Sequence, residues 1–278
     1  MEIAGARQER GGGEEEGSLS VRARGRVGVA HSFKGEEFGP AQALHGITYV
    51  VDAQLTRPRA APPLLWRGGL EGALHEALGA YDRRNLDEMS EFEGENTTCE
   101  RFALAVWTRM AAALSPVVAP SASLRIGVKE SDIASVAYER SLEEGGGGGG
   151  GAGAGGVYSV SVRSRFMAAR SLRGDRYGPS QQLHGATFVV DAVLSGRQLI
   201  QGKGFLVDIC LAEQLLADAV APLHQTNLDS SLGGVNPTAH AIAEAIGGTI
   251  AAGVAKEPLE SLRLVIREDD QASPHDIP

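Results

Sequence analysis

The chain repeats itself. Shifted by 139 residues, Ser20–Leu55 falls on Ser159–Leu194 without a gap, and 19 of the 36 aligned positions are identical. The strongest stretch reads GPAQALHGITYVVDAQL in the first copy and GPSQQLHGATFVVDAVL in the second. Later landmarks follow with small changes of length. Asn85-Leu86-Asp87 answers Asn227-Leu228-Asp229, and Leu124-Arg125-Ile126 answers Leu262-Arg263-Leu264. A repeat this long marks a duplicated domain, so the two copies should fold with nearly superimposable backbones and matching Leu-His-Gly turns. Between them lies Gly145–Gly156, ten glycines and two alanines, which has the composition of a flexible spacer. The first seventeen residues carry five glycines and five glutamates. The expected organisation is a disordered tail over 1–17, a first unit over 18–141, a glycine-rich linker over 142–156 and a second unit over 157–278.

Composition sets outer limits. Hydrophobic residues are 42% of the 278, enough for one large core or two small ones. The net charge is −9 and no basic stripe is present, which argues against a nucleic-acid partner. No run of about 20 apolar residues exists to span a membrane. The opening MEIAGARQERGGGEEEG lacks an apolar core of a secretory signal, so a cytoplasmic location is expected. Two cysteines, Cys99 and Cys210, supply neither a disulfide framework nor a four-thiolate zinc site.

Each copy reads as strand, strand, helix, helix, strand. Val21–Ala30 and Val160–Ala169 alternate at strand spacing, and a glycine- and charge-rich connection follows each. Thr48–Leu55 and Thr187–Leu194 are β-branched and aromatic, which predicts a second strand. Leu70, Leu74, Leu78 and Tyr81 recur at helical spacing, as do Leu211, Leu215 and Ala219. A second helix is predicted from Thr98, with a counterpart capped by Asn236 and opened by Pro237. Leu124, Ile126 and Val128 alternate as a strand, and so do Leu262, Leu264 and Ile266. A short last strand near Ser135–Tyr138 completes the first copy, and its match in the second is absent or very short. The class is α+β with antiparallel strands.

The order of these motifs resembles the 6-pyruvoyltetrahydropterin synthase and 6-carboxytetrahydropterin synthase family. It comprises a histidine after the first strand, HG-x-[TY]-[YF] opening the second, NLD after a helix, T-x-E at the next helix and a glutamate ending a strand. The second copy adds Gly204-Phe205-Leu206-Val207-Asp208, similar to a family segment before the first helix. The resemblance implies tandem tunnelling-fold (T-fold) units, each ββααββ-like with an antiparallel sheet. It implies a homo-oligomer that closes a barrel, with sites between neighbouring units.

Family enzymes hold zinc on three histidines, and three ligands plus an open position suit a catalytic zinc. By resemblance the metal positions are His31 and His45 in the first copy, where the third is Ile47. In the second they are Arg170, His184 and Ala186, so only His184 remains. His45 and His184 are either structural residues at a tight His-Gly turn or remnants of a metal site. The family's cysteine base aligns with Ala41 and Ser180. Its Asp-His pair before N-L-D aligns with Asp82-Arg83 and His224-Gln225, which leaves Asp82 and His224 as the catalytic candidates. Glu130 and Glu268 match the glutamate that accepts from two ring N–H groups of a pterin, a pairing that charge strengthens. Thr98 and Glu100 match T-x-E as further ligand-binding candidates. The resemblance implies a lyase of pterin metabolism acting on dihydroneopterin triphosphate, with turnover impaired by the missing cysteine and zinc ligands. The alternatives are a non-catalytic pterin- or purine-binding or assembly protein, and a diverged enzyme with other chemistry.

Overall fold

Strand β1 (Ser18–His31) shows why the chain starts as a sheet. Ala23, Val27, Val29 and His31 are buried at every second position or multiples of it, while Arg22, Arg24 and Arg26 face out. The computed structural model describes residues 18–58, 67–115, 121–142 and 155–268; the tail over 1–17 and most of the glycine-rich linker lie outside the described residues. β1 pairs along its whole length with β2 (His45–Pro58), from Ser18 opposite Pro58 to His31 opposite His45. Helices α1 (Arg67–Gly79) and α2 (Cys99–Leu114) then pack on the sheet, and between them the two-residue β3 (Arg84–Asn85) joins its edge, parallel to β1 at Val29 and Ala30. The chain returns as β4 (Ser123–Lys129) and β5 (Ala134–Ser141). The predicted short last strand is thus eight residues long.

The second half repeats this order with β6 (Val157–Arg170), β7 (His184–Gly196), α3 (Ile209–Val220), β8 (Thr226–Asn227), the short α4 (Leu228–Ser231), α5 (Ala239–Gly253) and β9 (Ser261–Glu268). Backbone conformations repeat as well. Gly39 (φ 49°, ψ −125°) matches Gly178 (φ 48°, ψ −126°), a geometry that a side chain at Cβ disfavours. Arg83 and Gln225, each with φ 57°, occupy the same turn before β3 and β8. One boundary differs from the sequence reading. Helix α5 is capped by Thr238, whose side chain accepts from Ala241 N, and not by Asn236. The Asn236 side chain instead brackets the backbone of Arg173, accepting from its N–H at 2.9 Å and donating to its carbonyl at 3.1 Å. Asn96 does the same to Lys34 in the first half.

The two halves share one sheet. β5 pairs antiparallel with β6, from Ala134 opposite Val162 to Glu139 opposite Val157, giving the order β3-β1-β2-β4-β5-β6-β7-β9, with β8 alongside β6. The Tyr138 and Tyr158 rings meet across this junction at 4.7 Å, and Trp107 packs edge-on to Tyr138 at 5.6 Å. A single hydrophobic cluster runs through both halves. Its ends are not alike. Leu124, Ile126 and Val128 on β4 are fully buried, whereas Leu262, Leu264 and Ile266 on β9 are half-buried, since no strand follows β9 among the described residues. No helix among those residues is long and apolar enough to cross a membrane.

Candidate functional site

The junction of the halves opens a cavity of about 210 Å³. The first half supplies Phe33, Phe38, Ala41, Tyr49, Cys99 and Glu130; the second supplies Phe205, Val207, Asp208, Ile209 and Cys210. The second wall is held in place by the T-x-E element. Thr98, the N-cap of α2, donates its hydroxyl to Gly204 O at 2.7 Å. The Glu100 carboxylate accepts from Leu206 N at 3.1 Å. Gly204 has φ +81°, and a Cβ there would approach Asn96 O to 3.3 Å, so the close passage needs glycine. Thr98 and Glu100 therefore line the cavity while spending their polar atoms on the Gly204–Leu206 backbone. Burial pushes the Glu100 carboxyl up to about 7.

The cavity is an acceptor site. Glu130 sits exposed at its mouth, with the Cys99 Sγ donating to Oε2 at 3.6 Å. Burial, then the Glu130 and Glu100 charges, push the Cys99 thiol well above its usual range, so it stays protonated. It is a hydrogen-bond donor here and a poor nucleophile. Burial and the neighbouring Asp208, Glu213 and Glu130 charges raise the Cys210 thiol too. Glu213 is raised by burial and by Glu130 and Asp208. Among the described residues no lysine or arginine lines the cavity, and Lys203, whose ammonium lies 5.7 Å from the Phe205 ring, is paired with Glu37 at 3.5 Å. Carboxylates without cations favour a ligand edge rich in N–H donors and disfavour phosphate.

The histidines are close but too few. The His31 and His45 rings lie 4.6 Å apart. His31 Nδ1 is 3.2 Å from Thr97 O and Oγ1, and its buried Nε2 has no hydrogen-bond partner. Burial lowers the His31 pKa, which favours the neutral ring. His45 Nδ1 is 2.8 Å from Ala43 O. Ile47 holds the position that the resemblance assigns to a third imidazole, and among the described residues no group of three or more His, Cys, Asp or Glu could hold a metal ion. These residues do not fit a three-histidine zinc centre.

In the second half Glu268 meets a cation from its own chain. Arg170, at the position of His31, donates Nη2 to Glu268 and Nη1 to Pro237 O at 3.0 Å. His184 Nε2 lies 3.6 Å from Glu268 Oε1. Neither catalytic candidate is among the residues that line Glu130's cavity. Asp82 accepts from Gly28 N at 3.3 Å, and His224 Nδ1 accepts from Met167 N at 3.2 Å. They are the same support of a first strand, one in each half. Cys99 was not a sequence candidate for the site. The signal was there, as the middle residue of T-x-E, but only the α2 start turns it toward Glu130.

The family model of 6-pyruvoyl tetrahydropterin synthase matches residues 20–141 and 159–274. Among solved structures, 6-pyruvoyl tetrahydropterin synthase from Caenorhabditis elegans is 19% identical, covering 41% of this chain and 90% of that one with a TM-score of 0.34. The Plasmodium vivax enzyme is 13% identical, covering 45% and 99% with a TM-score of 0.38. The Plasmodium falciparum enzyme is 13% identical, covering 45% and 98% with a TM-score of 0.36. No curated protein sequence matches the chain. With the family model covering most of both halves, this α+β chain belongs to the 6-pyruvoyl tetrahydropterin synthase family.

Proposed function

We propose that the chain binds a pterin ring in the cavity between its halves, anchored by Glu130, and that zinc-assisted removal of triphosphate is not its activity. The observation that carries this reading is the Glu130 carboxylate in an aromatic-walled cavity that, among the described residues, no lysine or arginine lines. A 2-amino-4-oxo ring presents two adjacent N–H donors to one carboxylate, and the flat faces suit Phe38, Tyr49 and Phe205. Ala41 in place of a thiol base, Ile47 in place of a third imidazole and the absence of lining cations all weigh against the family's lyase step. A purine with the same donor edge is the second candidate ligand, since the anchor reads only that edge.

The chain works as an oligomer in this reading. Among the described residues the outer side of β1 is paired only at Val29 and Ala30, and β9 has no outer partner. Such edges, with half-buried Leu262, Leu264 and Ile266 beside one of them, suit strand pairing with further copies.

Calorimetric titration of neopterin and biopterin tests the anchor. The wild type should bind, and Glu130→Gln should bind roughly 30- to 150-fold more weakly, because the amide turns one acceptor into an opposing donor. Equal affinity in both removes the anchor from Glu130. Triphosphate release from dihydroneopterin triphosphate in the presence of zinc would overturn the non-lyase reading.

A further inference from the structure

The two halves carry five matched positions at this end of the sheet: residues 31 and 170, 45 and 184, 49 and 188, 97 and 237, and the strand-ending glutamates 130 and 268. In the first half, His31 reaches the Thr97 carbonyl, and among the described residues no ion pair reaches Glu130. In the second, Arg170 reaches the matching carbonyl of Pro237 and continues to Glu268. Its side chain is 9% exposed, its guanidinium lies 5.0 Å over the Phe188 ring, and its Nε has no partner. A planar group of N–H donors, stacked on an aromatic ring and set against a carboxylate, is how a cyclic amidine edge would be held.

We propose that the second half contains a site for a guanidinium or cyclic amidine group, and that the chain's own Arg170 fills it. Arg170 is in effect a tethered ligand. The duplication has one open site and one self-occupied site, so an added ligand meets one site per chain.

The test removes the tether from the full-length chain and returns the group in solution. Arg170→Ala and Arg170→His are compared with the wild type in thermal melts with 0 to roughly 50 mM guanidinium chloride, with ammonium chloride as the control. Arg170→His puts in the residue that the first half accommodates at this position, so it keeps the test alive if Arg170→Ala does not fold. The expected result is a saturable rise in melting temperature of about 2–4 °C with guanidinium alone, seen in the variants and not in the wild type. Adding Glu268→Gln to either variant should abolish the rise. A guanidinium response equal to that of the wild type in a folded variant, or one that survives Glu268→Gln, overturns the proposal. The outcome does not depend on what binds at Glu130.

Discussion

The Thr98 hydroxyl lies 2.7 Å from the Gly204 carbonyl and closes the junction between the halves, while the same oxygen caps helix α2 by accepting from Arg101 N. Thr98→Val keeps the shape and removes both bonds. Loss of the cap costs about 1 kcal/mol, and a buried carbonyl left without a donor costs about 1–3 kcal/mol more. Urea denaturation should show a loss of roughly 2–4 kcal/mol. Thr238→Val, at the cap of α5, should cost only the capping share, about 1 kcal/mol.

Glu100 makes stability fall as pH rises. Its folded pKa of about 7 lies above the ordinary carboxyl value of 4.5, so the native chain holds a proton that the unfolded chain releases between these limits. The stabilisation is complete below about 4.5 and is lost as pH climbs through 7, on the order of 3 kcal/mol in all. Glu100→Gln should keep an acceptor for Leu206 N and flatten this slope. Chemical denaturation of wild type and variant between pH 5.5 and 8 measures the difference; parallel slopes would place the proton elsewhere.

Each half carries one aspartate held by two cations at the centre of its second strand, and burial separates them. Asp191, 2% exposed, pairs with Arg163 at 2.6 Å and with Arg267. Asp52, with its side chain 32% exposed, pairs with Arg24 at 2.6 Å and Lys129 at 3.6 Å. Asp191→Asn should cost about 3–5 kcal/mol and Asp52→Asn about 1 kcal/mol or less, read from denaturation midpoints.

Gly39 and Gly178 share a backbone conformation with open space where a Cβ would go. Alanine at either position therefore adds only backbone strain, roughly 1–3 kcal/mol, and the two variants should cost the same. Unequal costs in matched melts would mean that the loops differ in solution.

Much of the fold was legible because strand alternation and the 139-residue repeat are local or directly comparable. The β5–β6 pairing was not, since its register joins segments on either side of a glycine tract that carries no pattern. The cap of α5 was misplaced by two residues because the partner of Asn236 is Arg173, 63 positions earlier. At the site, the positions of His31, Glu130 and the T-x-E element could be read. Their partners could not: Thr98 and Glu100 turn to Gly204 and Leu206, 106 residues away in each case. Arg170 was legible as a lost metal ligand, but its reach to Glu268 depends on a strand 98 residues further on.

Covalent joining through β5 and β6 changes what a substitution can do to an assembly. In a ring of identical single-unit chains, every junction is the same junction, and a residue altered in one is altered in all. Here the β5–β6 junction is formed within one chain, by two strands of different sequence. Its cavity and the Arg170-filled counterpart can therefore drift apart independently, one free to specialise while the other serves only as masonry.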